Sequence, residues 1–436
     1  MKVTWPIKRL CDLADIRVSN VDKKVQANEK PIKLCNYMDV YLNEYVSNKI
    51  QYMEGSASVS EIERFGLDYG DVIITKDSET PDDIGIPTVV VETVPDLVCG
   101  YHLALIRPNL EQLDPIYLAK QLSTSYVARY FATRASGSTR YGLPKSAIES
   151  IEVPVPPKPE QTKIVEILST VDQAIEQTGA LIAKQERIKT GLMQDLLTRG
   201  IDEHGNLRSE ETHHFKDSPL GRIPVEWEVA SVSSVLSQPP RNGYSPVESS
   251  NWNGIYMLGL GCLTSEGFKP NQLKYAPKSN HRIEAALLRR GDFLISRSNT
   301  RTLVGLVGIF TGIVEPCIYP DLMVRLRFSD EVSVEYMEQV FMSSSVRRQI
   351  EMAATGTSGS MVKISASVIK GVLFMKPPLS EQMSILPILQ ANAALVRSMR
   401  TSLAKLRSLK TSLMQDLLTG KVRVTPLLDG TEVMSE

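Results

Sequence analysis

The chain has 436 residues, 42% of them hydrophobic and 23% charged, with a formal net charge of −1. That length exceeds one ordinary core, so two or more cooperative units are expected, and the composition excludes extended disorder or a fibrous repeat. Near-neutrality excludes a whole-chain basic excess, so any surface made for nucleic acid must be local. Cys11, Cys35, Cys99, Cys262 and Cys317 are scattered and contain no CxxC pair, as expected of reduced thiols in the cytoplasm. Trp5, Lys8 and Arg9 interrupt any signal-like apolar run, and the greasy stretch Leu303 to Val314 is too short and too Gly-rich to span a bilayer. Neither export nor a membrane partner is expected.

In chain order, residues 1–155 read as a mixed α/β domain. VIITK (72–76), PTVVVET (87–93) and HLALIRP (102–108) are short β-rich runs, and one helix is expected from Pro115 to Thr133. From Pro115 to Ile148 there is no acidic residue, while Lys120, Arg129, Arg134, Arg140 and Lys145 alternate with Tyr117, Tyr126, Tyr130, Phe131 and Tyr141. A Gly137-Ser138-Thr139 loop interrupts this segment. Such a stretch suits phosphate contacts, with Arg and Tyr available for base edges; the alternative is an aromatic core beneath a solvated face. Lys76, Arg129, Arg134, Ser138, Thr139, Arg140, Tyr141 and Lys145 are the DNA-binding candidates here.

Residues 156–199 begin PPKPEQ, which suits a helix start because proline is tolerated there and a carboxylate complements the N-terminal dipole. Apolar residues then recur with heptad spacing from Ile164 through Leu168, Leu181, Ile182 and Ile188 to Leu196, the pattern of a helix lying along another helix. Residues 200–221 are acidic and poor in apolar side chains, a linker in which His213 and His214 are read as solvated. Residues 222–376 repeat the mixed α/β pattern, with runs DFLISR (292–297) and LMVRLRF (322–328) and a helix expected from Val334 to Ala353. Arg297, Asn299, Arg301, Arg347, Arg348, Ser358, Ser360 and Lys363 are its DNA-binding candidates, the last three in the acid-free stretch from Met352 to Ser380. In residues 377–420 a second PPxxEQ helix carries Ile385, Leu389, Leu395, Val396, Leu409 and Leu417. Pro387 should kink it or delay its start, and Asn392 falls at a seam position, either as a buried amide that fixes register at some cost in stability or as a solvated side chain. Residues 421–436 form a tail.

An internal repeat orders these parts. IKTGLMQDLLTR from Ile188 and LKTSLMQDLLTG from Leu409 agree at nine of twelve positions, at an offset of 221 residues. The same offset carries PPKPEQ onto PPLSEQ and GDVIITK (70–76) onto GDFLISR (291–297). Two tandem halves are implied, each a divergent domain followed by a uniform helix. The two helices are each other's natural partner, antiparallel if a pseudo-twofold axis relates the halves.

Catalytic motifs are missing. The Pro-Pro pairs are preceded by Val155, Gln238 and Lys376 and followed by Lys158, Arg241 and Leu379, so none forms the Asn/Asp-Pro-Pro-aromatic site of an adenine methyltransferase. Gly259 and Gly261 make a lone GxG, there is no GxxxxGK[ST] loop, and the five histidines lack metal-ligand spacing. No catalytic or metal residue is assigned.

The duplicated PPxxEQ helices, the LMQDLLT endings at Leu192 to Thr198 and Leu413 to Thr419, and the segments TRGIDEHGNLR (198–208) and FKDSPLGRIPVEWE (215–228) together resemble the specificity subunit, HsdS, of type I restriction-modification systems. The resemblance implies two target-recognition domains, each reading half of a split, asymmetric site in double-stranded DNA, separated by two long helices in an antiparallel coiled coil. It implies a non-catalytic chain that holds no cofactor and docks two modification subunits using S-adenosylmethionine, joined by restriction subunits using ATP. Helices of about 39 residues would make rods of ~58 Å, enough to set readers one DNA turn apart. The rival readings are a coiled-coil interaction scaffold without nucleic acid and an enzyme with a site around Arg297 to Arg301.

Overall fold

The β-branched run Val72–Thr75 is buried on both faces because each face meets its own core, Val72 and Ile74 in one and Ile73 in the other, and its edges pair antiparallel with Leu103–Pro108 on one side and Pro87–Val90 on the other. Ala14–Val18 and Tyr45–Val46 complete a five-stranded sheet. A second sheet of three strands, Met53–Ala57, Lys30–Cys35 and Leu97–Cys99, packs its own core beside it. This computed structural model describes residues 5–356 and 361–428.

The chain folds into two compact units that do not follow chain order. One combines the chain up to Gly179 with the chain from Thr401 onward; the other is Ala180–Arg400. The second unit repeats the plan of the first, with a four-stranded sheet of Leu236–Asn242, Met323–Phe328, Phe293–Ser296 and Val307–Ile309, and a three-stranded sheet of Leu273–Tyr275, Tyr256–Leu258 and Cys317–Ile318. The repeated Gly-Asp has a structural reason. Gly70 and Gly291 turn the chain at φ 89° and 90°, where a side chain is strained. The following carboxylates, Asp71 and Asp292, accept the N–H groups of Asp68 and Arg289.

The long helices are Lys158–Thr198 and Leu379–Leu418. In the first unit Ile164 and Leu168, near the start of one helix, share a core with Leu413, Leu417 and Leu418 at the end of the other. In the second unit Leu192 and Leu196 meet Ile385, Ile388 and Leu389. Start meets end in both units, so the helices run antiparallel. Several expected seam residues are nevertheless exposed: Leu181, Ile188, Leu395 and Leu409 are between 39% and 49% accessible.

Other expectations are corrected. The helices expected over Pro115 to Thr133 and Val334 to Ala353 are each two, Pro115–Leu122 with Ser125–Ala132 and Val334–Met342 with Ser344–Ala353. Thr124 and Ser343 break them, each side chain accepting the N–H three residues on and restarting the helix as an N-cap. Pro387 does not delay the start of its helix, which runs from Leu379 through it. It and Met383, whose carbonyl loses its helical donor, lie on the exposed side, open to solvent.

PPxxEQ builds the same joint twice. Gln161 is fully buried; its Oε1 accepts the Asp114 N–H at 2.7 Å and its Nε2 donates to the carbonyls of Gln112 and Pro156 at 2.9 and 2.8 Å. Gln382 does the same with Ser333, Glu331 and Pro377. Both carboxylate oxygens of Glu160 accept from the Arg423 guanidinium, one from Nε and one from Nη2, and that guanidinium lies over the Trp5 ring. Glu381 takes Arg208 at 2.5 and 3.2 Å, the Trp227 indole N–H at 2.9 Å and the Ile201 N–H at 2.9 Å. Removing one partner of a buried pair costs about 3–5 kcal/mol. Glu381→Ala is therefore expected to lower stability by about 3 kcal/mol, and Glu160→Ala by less because Arg423 is more exposed than Arg208. Urea unfolding midpoints measure both; an unchanged midpoint for Glu381→Ala would refute the joint.

Candidate nucleic-acid interface

After the central strand of each unit the chain pairs with the loop that follows the two short helices. Tyr141–Gly142 pairs antiparallel with Asp77–Ser78, and Val362–Lys363 pairs with Ser298–Asn299, in identical register at the 221-residue offset. In the first unit Ser136 and Gly142 close the loop through mutual backbone bonds. Gly137 sits at φ 151°, and a Cβ there would lie 1.9 Å from the Arg140 carbonyl, so glycine is required for so tight a turn. Ser138, Thr139 and Arg140 form the tip, all exposed.

The base of this loop is fixed electrostatically. Asp77 receives Lys76 Nζ at 2.6 Å and His102 Nδ1 at 2.9 Å, and the Lys76 carbonyl accepts the Leu143 N–H. Burial pushes the Asp77 carboxyl up, but His102 and Lys76 more than offset this and hold it below the ordinary range. Lys76 is thus tied down beside the loop, and Tyr141 is half-buried in its clip. Arg134 lies 3.6 Å over the Tyr130 ring and donates to the Tyr130 carbonyl. Arg129 is exposed on the second short helix. Lys145 pairs with Glu149 at 3.1 Å and sits beside Cys11, Asp15 and Arg107. Lys120, one of the basic residues of the acid-free stretch, is buried between Glu44 and Asp172.

In the second unit Arg297, Asn299 and Lys363 come together at the corresponding clip; the Arg297 carbonyl accepts the Ile364 N–H. Asn299 Oδ1 accepts the Thr300 N–H. Arg301 donates to the Glu351 carbonyl. Arg347 is turned inward, 15% exposed, and holds the carbonyls of Val304 and Thr302 at 2.6 and 3.1 Å and the Glu351 carboxylate at 3.1 Å. Arg348, on the same helix, points outward. Ser358 and Ser360 lie outside the described residues.

Two features escaped sequence reading. His102, taken as part of a strand, faces Asp77, with the Tyr101 ring against it. Trp252 and Tyr275, 49% and 40% exposed, pack with Tyr256 into an open aromatic cluster on the three-stranded sheet. Trp252 and Tyr256 are near neighbours in the chain, but Tyr275 reaches them only through its cross-strand pairing with Tyr256, which spacing does not signal. Among the described residues no cluster of His, Cys, Asp or Glu is arranged to hold a metal ion, and no helix is long and apolar enough to cross a membrane.

Two divergent α/β units, each clipping a polar loop against its central sheet and each ending on a shared antiparallel helix pair, define a duplicated recognition protein. Residues 2–186 match the type I restriction modification DNA specificity domain. Over 428 residues the chain is 26% identical to a Methanocaldococcus jannaschii protein named as the MjaX type I restriction enzyme specificity subunit, covering 96% of this chain and 94% of that one. The MjaVIII specificity subunit of the same organism is 25% identical over 72% of each chain. The crystal structure of the type I restriction-modification S subunit from M. genitalium shares the fold, with TM-score 0.56 at 12% identity over 95% of this chain and 96% of that one. The chain is thus similar to type I restriction specificity subunits over most of its length, and its first half carries their DNA specificity domain.

The contribution of the depressed Asp77 carboxyl is complete above the ordinary carboxylate pKa of about 4 and is lost as pH falls through the lower folded value. Asp77→Asn is expected to cost about 1–2 kcal/mol at neutral pH and to flatten the acid loss of first-unit stability below about pH 4. Urea titrations across pH check this; an unaltered acid profile would contradict it.

Proposed function

We propose that this chain is the sequence-reading, non-catalytic subunit of a cytoplasmic type I restriction-modification complex. Each unit reads half of a split, asymmetric site in duplex DNA, and the helix pair docks two modification subunits carrying S-adenosylmethionine, with ATP-driven restriction subunits joining them. One observation supports this most: the clip is built twice in the same register while its side chains differ. Lys76, Asp77 and Ser78 stand where Arg297, Ser298 and Asn299 stand, and Tyr141 and Gly142 correspond to Val362 and Lys363. A constant frame with variable donors and acceptors is what two different half-sites require.

Within this reading Arg129, Arg134, Arg140, Arg348 and Lys363 meet phosphates or base edges, with Ser138, Thr139, Tyr141, Arg297 and Asn299 at the clips. Arg301 and Arg347 shape the second clip, Lys76 the first, and Lys145 contacts the backbone at the periphery. The exposed Trp252 cluster offers a stacking face.

Arg140→Ala is expected to weaken duplex binding by the complex with modification subunits and to reduce the slope of log affinity against log salt by about one phosphate contact. An unchanged titration would remove Arg140 from the interface. Complete failure of that complex to bind duplex DNA would favour a scaffold without nucleic acid. Inserting four residues near Ala183 adds ~6 Å of helix and is expected to lengthen the spacer between half-sites, read by methylation mapping; an identical spacer would overturn the helices' measuring role.

A further inference from the structure

The two units treat one lysine differently. In the first, Lys410 Nζ lies 2.8 Å from Asp172 and also contacts Glu44. Lys120 reaches the same two carboxylates at 2.5 and 2.8 Å. Burial pushes the Glu44 carboxyl up, but the two lysines outweigh it and hold it below its ordinary range. The cluster is closed, charge against charge.

The 221-residue offset carries Lys410 onto Lys189, Asp172 onto Ala393, Glu44 onto Ser265 and Lys120 onto Phe341. The lysine persists, both carboxylates have gone, and the second cation has become an apolar ring. The Lys189 side chain has no hydrogen bond or ion pair among the described residues. Burial, then Arg400 and Arg397, push its pKa below the usual lysine value. The nearby acids are engaged elsewhere. Arg400 holds Glu186 and Glu266, Ser333 donates to Glu335, and Glu338 accepts the Ile309 N–H while burial drives its carboxyl toward the neutral form.

Where the first unit places its carboxylates, the second has a cavity of about 550 Å³ whose lining includes Lys189, Ala393 and Ser265, the apolar Met193, Val340 and Phe374, and the paired or engaged side chains of Glu186, Glu266, Glu335, Glu338 and Arg400. That volume is within the range of small-molecule sites, which are mostly apolar with a few fixed polar groups. We propose that this cavity binds a small amphipathic monocarboxylate, its carboxylate meeting Lys189 as Asp172 and Glu44 meet Lys410, and its chain or ring lying against Met193, Val340 and Phe374.

The test is calorimetric titration of the full-length chain with octanoate, hexanoate and benzoate, and with octanol as the uncharged control. The titration contains no DNA, so its outcome is independent of the DNA-reading assignment. Saturable one-to-one binding is expected for at least one acid, at least tenfold tighter than octanol, because a charge-assisted bond is stronger than a neutral one. Lys189→Gln should weaken it at least tenfold and Lys189→Arg should retain most of it. Ala393→Asp supplies the first unit's carboxylate internally; it should abolish binding while leaving the unfolding temperature unchanged or higher, so a folding defect in Lys189→Gln does not decide the matter. If no acid binds more tightly than octanol, or if Ala393→Asp binds as the unaltered chain does, the site does not exist.

Discussion

Everything in this fold depends on one buried joint, the Glu-Gln pair that opens each long helix. A side-chain amide has one acceptor group and two N–H donors, and Gln161 and Gln382 each spend all of these on the backbone of their own domain. No other residue offers both donors and acceptor at that reach, so the helix start and the domain surface are fixed to each other. The neighbouring glutamates close the joint with an arginine that arrives from just beyond the opposite helix, Arg423 for Glu160 and Arg208 for Glu381. Each unit is therefore complete only when both helices contribute to it, which is why the compact units cut across chain order.

This explains how the two domains differ so freely. Their attachment needs a turn, a carboxylate and an amide; their cores need β-branched central strands; nothing in either requirement reaches the loops clipped to Asp77–Ser78 and Ser298–Asn299. Those loops are held through backbone pairing, which is indifferent to side-chain identity. The exposed side chains of the loops are thereby released from structural duty, which falls instead to Lys76, Asp77 and His102 at the first clip and to Arg301 and Arg347 at the second. The first unit places a hairpin tip with Arg140 there, the second Lys363 beside Arg297.

The repeat was legible because it resides in contiguous motifs, and the antiparallel pairing followed from it. The roles of Glu160 and Glu381 were not legible: a carboxylate in a first helical turn suits the dipole, and only the fold brings in Arg423 and Arg208. The seam was read too generously. A strict heptad drifts by roughly 20° per repeat on an ordinary helix, so Leu181, Ile188, Leu395 and Leu409 turn away from the partner although their spacing is right. The doubled helices escaped because Thr124 and Ser343 sit within otherwise continuous helical patterns, and periodicity does not register a hydroxyl that competes for the backbone. At the interface the acid-free segment was found, yet Lys120 and Arg347, indistinguishable in sequence from their neighbours, serve the interior.

Net charge misleads here for a reason visible in the pairs. The cations that build the frame are matched by acids at close range: Arg107 with Asp71, Arg325 with Asp292, Arg208 with Glu381, Arg423 with Glu160, Lys120 with Asp172. The side chains of Arg129, Arg140, Arg297, Arg348 and Lys363 make no such pair among the described residues. Acids consumed inside the frame cancel its own cations in the sum and cannot screen the loops, since a paired charge acts at a distance only as a dipole. A chain with a formal net charge of −1 can thus present positive loops where its sheets are clipped. The quantity that bears on a polyanionic partner is the unpaired charge at the surface, and a sequence total cannot separate that from charge spent in holding the fold together.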